Sequence, residues 1–549
     1  MESSTGNQPH DPQQGAVHGS QTQTVAPREL PSGAQDWLGV PNLRNHLSLL
    51  KLFRTTCLSI DGAVELAEPT ARDSEVSPQL SSFYAKAVYR FETWIRTALR
   101  SRQRDGPLVE EEIPPPDVLI LLQGYMLSPW LFAEDSELRF PELGRIGPFP
   151  LHEVVAHINA ETGSYKSTLE QIAHWEKQTG LPFDALNMKN ETEVVCPSCH
   201  NKQATFWIKL QDGTGYAEPG FALDCECGLH ITHDALCVSK LVQDLVGSKE
   251  PDAHILRGTL FGGASGSEQR DIARMTTREV VRVLGDPIAL GREVSWSMNN
   301  VIKRLKEAPD TSLLREVIPK LLRPYSQPSP FSVNLPFKAL RQAHFAHAWA
   351  SKGWFTESPL TPAQTRILED AISGYRVFLR YVPTKDAPTL FATEQVDLVW
   401  HTHQLLGGEY RKQLINFCGK FFDHLSMDEI EPTADVVAGA RKAWKDSMIA
   451  EGTVPPPDPC KNCPDPFCIG CDGVTYGGRM GEDEENEEGG GVGGGRRGRG
   501  RGRGRGGGPG RGGCWTHPCC ASGRDTTYMF LETPSVDAKD PANGGQSHL

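Results

Sequence analysis

Two cysteine pairs and one histidine run hold the side chains with which this chain could do chemistry. Cys196-Pro197-Ser198-Cys199 and Cys225-Glu226-Cys227-Gly228 are two knuckles with 25 residues between them, the spacing of a four-thiolate zinc ribbon. Four thiolates complete a tetrahedral ion, so such a site holds structure and leaves no position open for catalysis. The second knuckle, C-x-C, is tighter than the usual C-x-x-C, and His200, His230 and His233 lie near enough to replace a cysteine. Between the knuckles, Ala204-Thr205-Phe206-Trp207-Ile208-Lys209-Leu210 has β character and predicts a hairpin under the metal. Zinc there would supply of order 10 kcal/mol to a subdomain with little core of its own. A further cluster, Cys460-Lys461-Asn462-Cys463 and Cys468-Ile469-Gly470-Cys471, could bind a second metal. Only four residues separate its knuckles, and Cys514, Cys519 and Cys520 would compete.

The histidine run is Val396-Asp397-Leu398-Val399-Trp400-His401-Thr402-His403-Gln404-Leu405, with Tyr410 seven residues after His403. An earlier run, Val118-Leu119-Ile120-Leu121-Leu122-Gln123-Gly124-Tyr125-Met126-Leu127, has Phe132 seven residues after Tyr125. Setting Gln123 on His401 aligns the apolar positions and puts Tyr125 on His403. A repeat that keeps its apolar frame and loses its polar centre implies a scaffold with at most one working site. On a helix, side chains two apart point about 200° apart, so His401 and His403 cannot share an ion. Asp397 and His401, four apart, share a face. One reading makes Trp400, His401, His403 and Tyr410 a structural motif, with Asp397 orienting His401 and the other rings packed in the core. A sharper reading adds His424, from Phe421-Phe422-Asp423-His424, to Asp397 and His401 around iron or zinc. Two histidines and a carboxylate are the set used for oxygen activation. Those enzymes, however, present H-x-D or H-x-E on a strand, and this run is H-x-H.

Helical stripes must position these groups. Leu43, Leu47 and Leu50 mark one helix, and Ala87, Phe91, Trp94 and Ile95 a second within Phe83–Leu99. Pro114-Pro115-Pro116 leads into the first repeat helix. Lys166 to Thr179 reads as a helix stopped by Gly180. Thr276 and Glu279 have capping-box spacing for a short helix ending near Gly285 and Pro287. Trp296 to Lys306 is another helix, with Met298, Ile302 and Leu305 on one face. Thr361-Pro362-Ala363-Gln364 is the clearest start signal, ahead of the stripe Ile367, Ala371, Tyr375 and Phe378. Strand character is confined to 194–232.

The expected architecture is therefore mainly α: two divergent helical repeat units, an inserted small β zinc-ribbon-like subdomain and disordered termini. The segments are a disordered N-terminus 1–38, a first unit 39–190, the ribbon 191–245, a helical connector 246–330, a second unit 331–446 and a tail 447–549. The tail carries the acidic run 482–488, then Arg496, Arg497, Arg499, Arg501, Arg503, Arg505 and Arg511 among glycines, a composition that cannot bury enough surface to order itself. Alternating arginine and glycine suits weak, salt-sensitive contact with RNA or acidic partners. The overall charge of −13 argues against general nucleic-acid or anionic-membrane binding. No apolar run reaches the roughly 20 residues of a membrane helix. With no secretory signal in the first residues, the expected location is cytoplasmic or nuclear, where the 14 cysteines would be reduced or metal-bound.

The chain resembles the glycine-rich domain-containing protein family of fungi and plants over approximately residues 40–430. The matching residues are the run from Val396 to Leu405 with Tyr410, Leu340-Arg341-Gln342 before Phe345, His46-Leu47 leading to Phe53, the P-P-x-D-V-L start of the first repeat and the Gly-rich tail. Family first repeats often read W-H-x-H-M-L-N-P, where this chain has Leu122, Gln123 and Tyr125 before Met126-Leu127-Ser128-Pro129. The resemblance implies a conserved domain of unknown function. Fungal relatives are sometimes labelled 2-oxoglutarate-dependent dioxygenases, whose H-x-D motif this run lacks. Plant relatives are linked to stress and development, and some carry an RNA-binding module, for which this chain has no RRM-type aromatic motif. The expected function is a non-catalytic interaction protein with structural zinc. The alternative is a metal-dependent enzyme centred on His401.

Overall fold

The computed structural model describes residues 36–61, 76–247, 255–260, 267–308, 318–355, 359–381 and 390–426, with positions 442, 446 and 449 and the strand 527–529. The leucine stripe at 43, 47 and 50 forms α1, Val40–Asp61, and buries His46 and Phe53 with it. The body starts before the expected boundary at 38. Leu38 is buried, and Trp37 Nε1 donates to the Thr402 carbonyl (2.7 Å).

α2, Pro78–Trp94, begins on Ser77, whose hydroxyl accepts from the Leu80 N–H, and runs on through a π turn, Ile95–Leu99. α3, Pro116–Met126, is buried on all sides from Asp117 onward, as a central helix must be. α4, Pro129–Leu138, follows it, and α5, Leu169–Thr179, is closed by left-handed Gly180 (φ 70°).

Next come two antiparallel hairpins. β1, Glu191–Val195, pairs with β2, Lys202–Phe206, and β3, Ala222–Asp224, pairs with β4, His230–Thr232. Strand β4 runs straight into α6, His233–Gly247. This helix falls inside the expected ribbon, yet it packs elsewhere. Val238, Leu241 and Leu245 share a core with Val280 and Leu284 of α7, Ser267–Leu284, and with Val301 and Leu305 of α8, Met298–Glu307.

Two other expectations fail in this connector. Thr276 is no cap: it lies inside α7, its hydroxyl bonded back to the Ile272 carbonyl. Residues with cap-like spacing adopt that role only where the preceding turn is free to end. α8 starts two residues late, because Ser295 and Trp296 take left-handed backbone (φ 53° each). The Trp296 ring then lies so close to Gly291 that an added Cβ would sit 2.5 Å from it.

Residues 335–418 carry four further helices. α9, Leu335–Ser351, and α10, Pro362–Tyr381, precede α11, Glu394–Gln404, and α12, Gly408–Cys418. The Thr361 capping box forms as expected, with Thr361 Oγ1 accepting from Gln364 N–H and Gln364 Oε1 from Thr361 N–H. α3 packs on α2 and on α9, while α11 packs on α10 and on α1. Each central helix thus leans on a long helix of the other unit, and one core runs from Leu38 to Phe422. Strand β5, Leu390–Phe391, and β6, Leu425–Ser426, flank α11 and α12. Both pair with β7, Thr527–Met529. Among the described residues, no helix is long and apolar enough to cross a membrane.

Buried charge ties these pieces together. Arg90 of α2, fully buried, bonds Asp117 through Nε (2.6 Å) and donates to the Pro182 and Phe183 carbonyls. Glu134 of α4 accepts from the Gly258 and Leu260 N–H groups (2.7 and 2.9 Å), docking the connector. Burial pushes the Glu134 carboxyl up to about 7, against the pull of Arg139. Arg90→Met would strand the Asp117 carboxylate, and urea unfolding should show a loss of about 3–5 kcal/mol. Arg96→Met, which breaks the exposed pair with Glu92, should stay within about 0.5 kcal/mol of wild type.

Candidate metal centres

The first centre lies at the tips of the two hairpins. The chain leaves β1 at Cys196, turns through the left-handed His200 (φ 62°) and re-enters β2, with Cys196 N–H donating to the Asn201 carbonyl. The second knuckle repeats the device. Gly228 (φ 88°) supplies the left-handed residue, and Cys225 N–H donates to the Leu229 carbonyl.

These turns aim four sulfurs at one point. Cys196 Sγ lies 3.6 Å from Cys227 Sγ and Cys199 Sγ 3.5 Å from Cys225 Sγ, and all four fall within 4.8 Å of one another. The separations exceed the roughly 2.05 Å of a disulfide. They approach the edge of about 3.8 Å that bonds of about 2.3 Å make around a tetrahedral ion. The Leu229 backbone N–H holds the Cys227 thiol down to about 7, while burial pushes Cys196 up.

Two of the nearby histidines have ring partners of their own. His230 pairs with Asp224 (2.7 Å), His233 Nε2 donates to the Tyr216 carbonyl (2.8 Å), and His200 serves the turn through its backbone. The expected strand at 204–210 is shifted to Lys202–Phe206, and Trp207 beyond it is buried against Tyr216.

The second centre is built on α11. Thr393 caps this helix, its hydroxyl accepting from Val396 N–H, and that fixes the register of Asp397 and His401 one turn apart. After α12, left-handed Gly419 (φ 73°) turns the chain back. Trp130 of α4 then anchors the returning segment. Its Nε1 donates to the Phe421 carbonyl (3.0 Å) and its backbone N–H to Asp423 Oδ1 (3.3 Å). His424 is thereby delivered to the face of α11. His401 Nε2 and His424 Nε2 are 2.9 Å apart, with Asp397 oxygens 3.2 Å from His424 and 3.4 Å from His401. All three residues are buried, between the rings of Trp400 and Phe345. Burial lowers His401 to about 3 against the opposing pull of Asp397, and lowers His424 well below its ordinary value.

His403 points the other way, as its spacing predicts. Its Nδ1 meets the Tyr375 hydroxyl (2.9 Å) and its Nε2 donates to Gln413 Oε1 (2.7 Å). Trp400 Nε1 donates to the Tyr410 hydroxyl (2.8 Å).

The run around Gln123 has a buried polar centre of its own. Gln123, standing on His401, is fully buried, and its amide N–H groups face His46 Nε2 (3.3 Å) and Gln342 Oε1 (3.0 Å). The Thr402 hydroxyl donates to the Leu398 carbonyl (2.7 Å), so it must accept from His46 Nδ1–H (2.9 Å). That fixes the tautomer and leaves His46 Nε2 free to accept from Gln123. Tyr125, standing on His403, donates its hydroxyl to Asp135, which also accepts from Ser332. Sequence reasoning named His46 and Gln342 only among the residues that carry the family resemblance, with no contact assigned to them, and did not single out Gln413. The second cysteine cluster, Cys460 to Cys471, and the arginine tract from Arg496 to Arg511 lie outside the described residues.

Three comparisons with known proteins, by family model, by curated sequence and by solved structure, found no match to this chain.

The buried rings set an acid limit. Burial lowers His46 from 6.5 to about 3 and His403 from 6.5 to about 4. The unfolded chain therefore binds more protons than the folded one below about pH 6.5, and stability falls as pH drops through this window. Each such ring contributes a slope of up to about 1.4 kcal/mol per pH unit. His46→Gln, which removes one of them, should flatten the dependence of unfolding free energy on pH between about pH 6 and pH 4 by that amount. An unchanged slope would show that His46 titrates alike in both states.

Proposed function

We propose that this protein is a non-catalytic interaction scaffold whose ribbon, residues 191–232, is held by one structural zinc ion on Cys196, Cys199, Cys225 and Cys227. The convergence of four sulfurs at the tips of two short hairpins carries this reading. Four thiolates complete the ion's coordination, and a β core of Val194, Phe221 and Ile231 is too small to hold the hairpins without it. We further place the chain with the glycine-rich domain-containing family and read the helical body as two divergent copies of one unit. The shared order of α1–α4 and α9–α12 and the crossed packing of α3 and α11 support the second point. In this reading the body offers surfaces to protein partners, the tail from Arg496 to Arg511 contacts RNA or acidic partners, and the protein works in the cytoplasm or nucleus.

The competing reading, a metal-dependent enzyme centred on His401, is favoured by one observation, the meeting of Asp397, His401 and His424. Burial of all three weighs toward structure, because catalysis needs a substrate at the ion.

Cys196→Ser with Cys225→Ser should remove one zinc equivalent per chain by elemental analysis. Amide exchange should rise across 191–232 and stay slow in α3 and α11. Zinc retained in that double variant would refute the ribbon assignment. Deleting residues 496–511 should abolish retention on immobilised RNA at low salt, and unchanged retention would end the RNA proposal.

A further inference from the structure

We infer that Asp397, His401 and His424 hold one divalent first-row metal ion at the centre of the helical body, a site independent of the four-cysteine cluster. Three separations carry the inference. Bonds of about 2.0–2.2 Å to imidazole nitrogen and carboxylate oxygen place neighbouring donors about 3.0 Å apart at right angles and about 3.4 Å apart at the tetrahedral angle. Here the two Nε2 atoms stand 2.9 Å apart, with Asp397 Oδ1 3.2 Å from His424 Nε2 and Asp397 Oδ2 3.4 Å from His401 Nε2. One donor atom from each residue lies within 4.8 Å of the other two, close enough to share a coordination sphere. Hydrogen bonding alone accounts poorly for this triangle. Two imidazole Nε2 atoms facing at 2.9 Å can share one proton, while the carboxylate beside them calls for a proton from each ring. A cation in the centre satisfies both lone pairs and the carboxylate together.

The donor set decides the class of ion. Two imidazoles and one carboxylate suit zinc, iron(II) or manganese(II), and the lack of sulfur sets the site apart from the ribbon. The ligands are also held before any ion arrives. Thr393 fixes two of them on α11, while Trp130 of α4 grips the segment that delivers the third. Bound there, the ion clamps α11 of the second unit to the 421–424 segment, and through Trp130 to α4 of the first. The first repeat has Leu119 and Gln123 at the aligned positions, so it supplies no equivalent ligand set.

The test uses the full chain, freed of metal and titrated with Co²⁺, followed by X-ray absorption at the cobalt edge. We expect a shell of nitrogen and oxygen neighbours at about 2.0–2.2 Å in addition to the sulfur shell at about 2.3 Å. His401→Gln and His424→Gln should each abolish the nitrogen and oxygen shell, with loss of one cobalt per chain and the sulfur shell intact. Cys196→Ser with Cys225→Ser should do the reverse. Loss of the nitrogen and oxygen shell on substitution of His401 or His424 separates this site from the cluster at Cys460 to Cys471. A sulfur shell alone in the wild-type chain overturns the inference even if the histidine variants fail to fold. Equal cobalt uptake by folded wild type and His401→Gln overturns it as well.

Discussion

The structure turns on a line of polar contacts through its driest part. Gln342, Gln123, His46 and Thr402 belong to four different helices, α9, α3, α1 and α11, and each bonds the next. A buried amide or imidazole without a partner costs about 1–3 kcal/mol, so each helix is confined to the rotation and depth that keep the line unbroken. Apolar packing alone would tolerate sliding of α3 or α11, both buried nearly all round. The polar line therefore specifies the arrangement, and the large shared core supplies most of the stability.

The runs around Gln123 and His401 differ along that line. Gln123 donates two hydrogen bonds where His401 turns its ring toward His424, so the two positions serve different neighbours. Tyr125 reaches Asp135 where His403 reaches Tyr375 and Gln413. The Gln123 run joins α1, α3 and α9, while the His401 run aims ring nitrogens at a carboxylate. The two candidate metal centres differ in the same physical way. The cysteine cluster sits on a subdomain with almost no core, whereas the histidine and aspartate set sits within a core that stands by itself.

Helix positions were legible where local chemistry closes on itself. Thr361 with Gln364 forms its capping box, and Gly180 ends α5, because cap and partner lie within one turn. Thr276 has the same spacing and sits in mid-helix, since nothing local tells a cap from a residue whose preceding turn continues. α6 was assigned to the ribbon by adjacency, while its apolar face belongs with α7 and α8. The start of α8 depended on a left-handed Trp296 packed over Gly291, a contact invisible to periodicity.

The amino-acid sequence alone determined the mainly helical class, the two cysteine knuckles and the opposed facing of His401 and His403, because each depends on spacing within a few residues. It also named Asp397, His401 and His424 as one of two readings. Only the tertiary structure decided that the imidazole from 23 residues further on meets the other two, and that His46 and Gln342 complete the polar line with Gln123 and Thr402. Those meetings are set by how α1, α9 and the 421–424 segment cross the central helices. Crossing is governed by packing between distant surfaces, which no local pattern records.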